Sequence, residues 1–147
     1  RSVAEVYEQI LFHGPELAGI REIYACSKEG IKAAVARAPV PREWIAQPLR
    51  NTWLTDPMVL DAAFQLAIVW CYENVGAVSL PVSFKQFRQY RQAFPAEGVV
   101  VVLEVKQQTD RKMRGDYTFL DADGTVVASM IDYEAVMDKA LKKAFKG

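Results

Sequence analysis

The stretch that decides the fold is residues 55–72, which reads TDPMVLDAAFQLAIVWCY. Apart from Asp61 and Gln65 it is apolar on nearly every side, the pattern of a helix that is buried all round. Those two residues are four positions apart, so they share one helix face. A carboxylate is costly to bury, and the sequence therefore predicts that Asp61 is carried into the interior for a functional reason.

The ends of this helix and the strands around it follow from local signals. Asp56 can cap the helix, Pro57 suits its first turn, and the helix is expected to end near residues 73–76. Alternating or β-branched segments predict two strands before the helix and four after it. The predicted strands are Leu17–Tyr24, Gly30–Arg37, 82–91, Val99–Val105, Tyr117–Leu120 and Thr125–Tyr133, with a proline-rich loop over 38–54. A curved antiparallel sheet wrapped around the helix is the simplest arrangement that buries the helix on most sides.

Composition narrows the class of protein. The 147 residues fit one domain, taken as 1–147 with a surface tail over 138–147, and 18 basic residues balance 18 acidic ones. With equal numbers of basic and acidic side chains, the chain has no net charge that would attract nucleic acid or an anionic membrane. No apolar run reaches the ~20 residues of a membrane span. The chain has one histidine and two distant cysteines, Cys26 and Cys71, which excludes a His-rich metal site. A cytoplasmic protein without a bound metal is expected.

Three short motifs together resemble a known family. They are Leu11-Phe12-His13-Gly14-Pro15, then Asp61-Ala62-Ala63-Phe64-Gln65, then Leu80-Pro81-Val82-Ser83-Phe84. Their order and spacing resemble the C-terminal half of the dehydratase domain of polyketide synthases and related multienzyme fatty acid synthases. The resemblance covers residues 7–136 and implies an α+β hotdog fold, in which a curved antiparallel sheet wraps around one long central helix.

The chain departs from the family pattern at several positions. His13 stands where the family usually has tyrosine, and Phe84 stands where it has tryptophan. Leu17 and Ala18 replace a Phe-Gln pair. The His-x-x-x-Gly-x-x-x-x-Pro motif, which holds the family's catalytic histidine in the first hotdog module, does not occur in this sequence. The chain therefore resembles one half of a catalytic pair.

The resemblance implies a lyase reaction and the residues that would serve it. A β-hydroxyacyl thioester, carried on the phosphopantetheine arm of an acyl carrier protein, loses water to give an α,β-enoyl thioester, with no further cofactor. The position that matches the family's general acid is Asp61, with Gln65 one turn later as its hydrogen-bonding partner. The expected substrate-binding residues are His13, Gly14, Pro15, Leu80 and Pro81.

Each of these residues also has a structural interpretation. Asp61 can be a carboxylate satisfied by Gln65 without chemistry, and Gln65 alone is more typical of a structural partner than of a catalyst. His13 is more typical of a loop residue than of a base. The aromatic residues, namely Trp53, Phe64, Trp70 and Phe84, are expected in the core.

Three functions remain open at this stage. The first is the C-terminal half of a dehydratase, inactive alone because its base lies in the N-terminal hotdog half of the same synthase. The second is a stand-alone hotdog enzyme, a thioesterase or hydratase, in which a second copy completes the site and His13 is the base. The third is a non-catalytic acyl-binding module. A lone half would expose the apolar surface that packs on the first module in the family, so a homodimer is expected.

Overall fold

The structure, a computed structural model, describes residues 1–48, 53 and 55–144. One long helix packs against one face of an antiparallel sheet. The helices are α1 (Val3–Gln9), α2 (Pro41–Trp44), α3 (Pro57–Val75) and α4 (Leu141–Ala144). The strands are β1 (Ile20–Ser27), β2 (Gly30–Val35), β3 (Val78–Ser83), β4 (Gln86–Gln89), β5 (Val99–Gln108), β6 (Lys112–Leu120) and β7 (Val126–Asp138).

The long helix α3 begins and ends where the sequence predicts. The Asp56 carboxylate accepts a hydrogen bond from the backbone N–H of Val59 at 2.9 Å, which caps the first turn. The same carboxylate accepts from the backbone N–H of Ala38, so the cap also fixes the chain that leaves β2. Gly76 ends the helix in the left-handed conformation, φ 72°, which glycine adopts without a steric penalty.

The sheet has the strand order β1-β2-β5-β6-β7-β3, and β4 pairs separately with β7. All of its pairings are antiparallel. Alternate residues of the central strands point at α3, as in β5, where Val99, Val101 and Leu103 are buried. Trp70 of α3 is fully buried, and its indole N–H donates to the Ser27 carbonyl at 2.7 Å. This bond ties the β1–β2 turn to the helix.

Several sequence predictions about the strands are wrong in detail. The segment 82–91 is not one strand but the end of β3 and the whole of β4, so five strands follow the helix instead of four. Both pair with β7, on either side of a bulge at Asp132, which has φ 54°. The first strand begins three residues later than predicted, because Pro15–Leu17 forms a 3-10 turn.

The predictions for the remaining segments have mixed outcomes. The loop over 38–54 contains the one-turn helix α2, and residues 49–52 and 54 lie outside the described residues. Within the predicted surface tail over 138–147, Asp138 still belongs to β7, Leu141–Ala144 forms the short helix α4, and residues 145–147 lie outside the described residues. Phe84 is 49% exposed, so its placement in the core was wrong, whereas Cys71 is buried and both cysteines are free thiols. Among the described residues, no helix is both long and apolar enough to cross a membrane.

Candidate functional site

Gln65 organises the candidate site from inside the protein. Its side chain is fully buried on α3, yet it is held by three hydrogen bonds. The amide nitrogen donates to Oδ2 of Asp61 at 2.6 Å and to the backbone carbonyl of Leu17 at 2.8 Å. Because both donors are used, the amide fixes the Asp61 carboxylate relative to the loop that precedes β1.

Tyr7 of α1 completes this network. Its hydroxyl donates to Oε1 of Gln65 at 2.7 Å and accepts from the backbone N–H of Ile20 at 2.9 Å. Burial raises the pKa of the Tyr7 hydroxyl, and the negative charge of Asp61 acts in the same direction. The hydroxyl therefore stays protonated as a donor. Tyr7 was not among the residues predicted from the sequence, since a tyrosine in a short N-terminal helix gives no signal that it reaches a glutamine 58 positions away.

His13, predicted as a substrate-binding residue and, in the stand-alone alternative, as the base, lies beside Asp61. Its Nε2 atom is 3.5 Å from Oδ2 of Asp61, and its side chain is 12% exposed. The imidazole stacks on the ring of Phe12 with centroids 4.7 Å apart. Its Nδ1 atom is buried and, within the described part of the chain, has no hydrogen-bond partner. Histidine, aspartate and glutamine thus meet at one corner of the helix.

The prediction that Asp61 is carried into the interior was wrong. Its side chain is 30% exposed, while Gln65, one turn away, is fully buried. Both residues share a helix face, but only Gln65 is covered, and it bonds to Leu17 in the loop before β1. The Asp61 carboxylate is partly exposed to solvent, so its position does not require that a buried charge be compensated.

The other predicted site residues do not form one cluster, as Asp61, Gln65 and His13 do. Gly14 and Pro15 follow His13 directly, and a methyl group added to Gly14 would meet no atom within 4 Å. Leu80 and Pro81 lie in β3, and Pro81 lines a groove together with Phe64. The groove, of about 300 Å³, is lined by Phe64, Tyr133 and the segment 81–84.

The groove and the carboxylate are connected through α3. Asp61 and Phe64 are three positions apart and so lie on neighbouring parts of one helix face. Phe64 stacks on Tyr133 with ring centroids 5.6 Å apart, which fixes it as one wall of the groove. No cluster of three or more histidine, cysteine, aspartate or glutamate side chains that could hold a metal occurs among the residues described.

Comparison with protein families shows what the whole chain is similar to. The family model described as "Polyketide synthase dehydratase N-terminal domain" matches residues 1–141. Among characterised proteins, one of the polyunsaturated fatty acid synthase subunits of Thraustochytrium sp. is 37% identical over 87 residues. That match covers 58% of this chain and 3% of the much longer synthase polypeptide.

Solved structures show the same fold. The dehydratase domain of a mycocerosic acid synthase-like polyketide synthase superimposes with a TM-score of 0.72 at 25% identity, covering 92% of this chain and 48% of that one. The dehydratase domain from the CurF module of curacin polyketide synthase gives a TM-score of 0.70 at 23% identity, with 94% and 48% covered. A trans-AT polyketide synthase dehydratase domain from Brevibacillus brevis gives 0.71 at 19%, with 93% and 48% covered.

The chain spans about half the length of the solved dehydratase domains. The hotdog fold predicted from the motifs is confirmed. The motifs placed the chain with the C-terminal half of a dehydratase, whereas the description of the matching family model names the N-terminal domain, so the choice of half stays a prediction. On the match over residues 1–141, this chain belongs to the polyketide synthase dehydratase family.

Proposed function

We propose that this chain forms the acid half of a dehydratase site, in which Asp61 protonates the departing hydroxyl of a β-hydroxyacyl thioester. The substrate is carried on the phosphopantetheine arm of an acyl carrier protein, and an α,β-enoyl thioester and water are the products. The observation that carries the proposal is the 2.6 Å hydrogen bond from buried Gln65 to a carboxylate that is 30% exposed.

The hydrogen bond from Gln65 to Oδ2 of Asp61 leaves the other carboxylate oxygen, Oδ1, for the substrate. Oδ2 of Asp61 faces Gln65 and His13, while among the described residues no hydrogen bond reaches Oδ1. An acid that is oriented by the protein and reachable from outside suits a general acid, since proton transfer requires the donor within hydrogen-bond reach of the leaving oxygen. Removal of the α-proton requires a base, which the proposal assigns to the partner module.

In this proposal the partner is the N-terminal hotdog half of the same synthase, which supplies the histidine base; pairing with a second copy of this chain belongs to the alternative function below. β3 is an edge strand that carries the exposed apolar side chains of Leu80 (43%) and Val82 (56%), and exposed Phe84 (49%) follows it directly. Val82 and Phe84 line the groove along Phe64. A partner on this edge would cover the apolar side chains and close the groove over the acyl chain.

The test is dehydration of the 3-hydroxybutyryl thioester of pantetheine, followed through the ultraviolet absorbance of the enoyl thioester. The chain alone is expected to be inactive. The chain mixed with a histidine-bearing hotdog module of a polyketide synthase dehydratase is expected to turn over. In that mixture Asp61→Asn should lower kcat by about 100-fold or more, in the range that general acids contribute.

Asp110→Asn is the matched control, because Asp110 is an exposed carboxylate in the turn between β5 and β6. It should leave the rate unchanged. Full activity of Asp61→Asn in the mixture would refute the assignment of the acid.

One observation favours a second function. His13 and Asp61 lie 3.5 Å apart in the same chain, so a base and an acid are both present without a partner module. In this alternative the chain is a stand-alone hydratase or thioesterase that a second copy completes. Turnover by the purified chain alone, abolished by His13→Ala, would establish it and exclude the half-site.

A further inference from the structure

A chain of four hydrogen bonds leads from the start of β1 to the Asp61 carboxylate. The backbone N–H of Ile20 donates to the Tyr7 hydroxyl at 2.9 Å, and the hydroxyl donates to Oε1 of Gln65 at 2.7 Å. Nε2 of Gln65 donates to the Leu17 carbonyl at 2.8 Å and to Oδ2 of Asp61 at 2.6 Å. The carboxylate is thereby linked to two backbone groups of the segment that leads into β1.

The two backbone groups fix the direction in which this chain of hydrogen bonds runs. A backbone N–H only donates and a backbone carbonyl only accepts. The Tyr7 hydroxyl has one hydrogen, and because its oxygen accepts from Ile20, that hydrogen is directed to Oε1 of Gln65. If the amide of Gln65 were turned over, Nε2 would face a donor at Tyr7 and Oε1 would face an acceptor at Leu17. Because this amide is fully buried, water does not correct either mismatch.

The direction of the chain determines how the Asp61 carboxyl group presents its proton. A protonated carboxyl group has one O–H oxygen, which donates, and one carbonyl oxygen, which accepts. Gln65 meets Oδ2 with an N–H, so Oδ2 is held as the carbonyl oxygen of the acid form. The proton of the acid form then lies on Oδ1, the oxygen that the proposed function leaves for the substrate.

We infer that Tyr7 is a positioning residue that acts through Gln65 to place the acid proton of Asp61 on Oδ1. The inference rests on the proposed function. In that reaction the base of the partner module takes the α-proton and the C–O bond breaks with its electron pair on oxygen. The Oδ1–H bond of Asp61 breaks as its proton completes the water molecule, which leaves a carboxylate. Tyr7 is bonded to Gln65 and Ile20 rather than to Asp61, so its effect reaches the substrate only through the amide.

The first test needs no activity and uses Asp61→Asn as a reporter. A carboxamide has the shape of a carboxylic acid, but its acceptor and its donor are fixed as C=O and NH2. The carboxamide oxygen should take the place of Oδ2 and face Gln65, and the NH2 group should take the place of Oδ1. In nitrogen-15 NMR, the hydrogens of this NH2 group should exchange with water within about tenfold of the rate for exposed Gln108. Slower exchange, from an NH2 group that is turned onto a reversed Gln65 amide, would overturn the inference.

The second test measures whether Tyr7 contributes to catalysis. In the assembled dehydratase, Tyr7→Phe should lower kcat by at least about threefold with little change in KM, because a loosened acid is misplaced in the transition state. Tyr24→Phe is the matched control, since Tyr24 is an exposed tyrosine of β1, and it should leave kcat unchanged. A smaller effect of Tyr7→Phe would refute its positioning role.

Combination with Gln65→Leu separates positioning from a general loss of structure. A residue that acts only through Gln65 has nothing left to hold once the amide is gone, so in this background Tyr7→Phe should lower kcat by less than about twofold. A larger further loss would refute the inference. Circular dichroism checks that each variant is folded in the assay; if Tyr7→Phe does not fold, the exchange of the Asp61→Asn carboxamide still tests the direction of the chain. If the mixture performs no dehydration, the proposed function fails, and the same exchange measurement decides whether Oδ2 is the acceptor.

Discussion

Replacement of Gln65 by leucine tests whether the buried amide holds the site together. The substitution keeps the approximate volume of the side chain but removes three hydrogen bonds. Because the Asp61 carboxylate is 30% exposed, it can accept a hydrogen bond from water in place of the lost one. The Tyr7 hydroxyl proton and the Leu17 carbonyl cannot do so as easily, since both residues are only partly exposed.

The expected magnitude follows from these two groups. A buried polar group left without a partner costs about 1–3 kcal/mol, and partial exposure places both near the lower end. Gln65→Leu should therefore lower the free energy of unfolding by about 2–3 kcal/mol. With an m value of about 2 kcal/mol/M in urea, the unfolding midpoint would fall by more than about 1 M.

The assay is urea unfolding followed by circular dichroism, with Gln108→Leu as the matched control because Gln108 is exposed. Tyr7→Phe removes the other end of the bond, so the double variant should lose less than the sum of the two single losses, by about 1 kcal/mol. A loss below about 0.5 kcal/mol for Gln65→Leu, the size of an ordinary surface effect, would refute the reasoning.

Two further predictions concern the core and a turn. Burial raises the pKa of the Cys71 thiol to about 11 from 9.0, so a disulfide reagent should label only exposed Cys26 in the native protein and both thiols after unfolding. Because the pKa of Cys71 is raised in the folded state, the stability that the neutral thiol contributes is complete below pH 9.0 and is lost as pH rises towards about 11. Urea unfolding at several pH values should therefore show a smaller loss of stability at alkaline pH for Cys71→Ala than for the unaltered protein. Gly98 and Gly124 both have positive φ, but a Cβ on Gly98 would lie 2.3 Å from the Val35 carbonyl oxygen and one on Gly124 would meet nothing. Gly124→Ala should cost only the left-handed strain of about 1–2 kcal/mol, Gly98→Ala clearly more, and equal urea midpoints would contradict the predicted clash.

The sequence predicted the helix well because its signals are local. The cap by Asp56, the proline after it and the glycine at its end act within one turn, and the apolar pattern shows that the helix is buried. The pairing of Gln65 with Asp61 was also predictable, since a spacing of four fixes it. The exposure of Asp61 was not, because the pattern of one helix does not tell which part of it the sheet leaves open.

The rest of the site depends on contacts distant in sequence. His13 reaches Asp61 across 48 positions, through a loop whose path is fixed by the Gln65 bond to Leu17. The split of the predicted strand 82–91 has a similar origin. It follows from the bulge at Asp132 in β7. The sequences of β3 and β4 contain no local signal of that bulge.

That bulge also bears on aggregation. A sheet with open edges can add strands sideways without limit, and proteins resist this with short or irregular edge strands. Here one edge is divided between β3, of six residues, and β4, of four, while β1 at the other edge has two register shifts and carries exposed Arg21 and Glu22. Neither edge offers a long flat ladder, which limits the addition of further strands side by side even though the β3 edge carries apolar side chains.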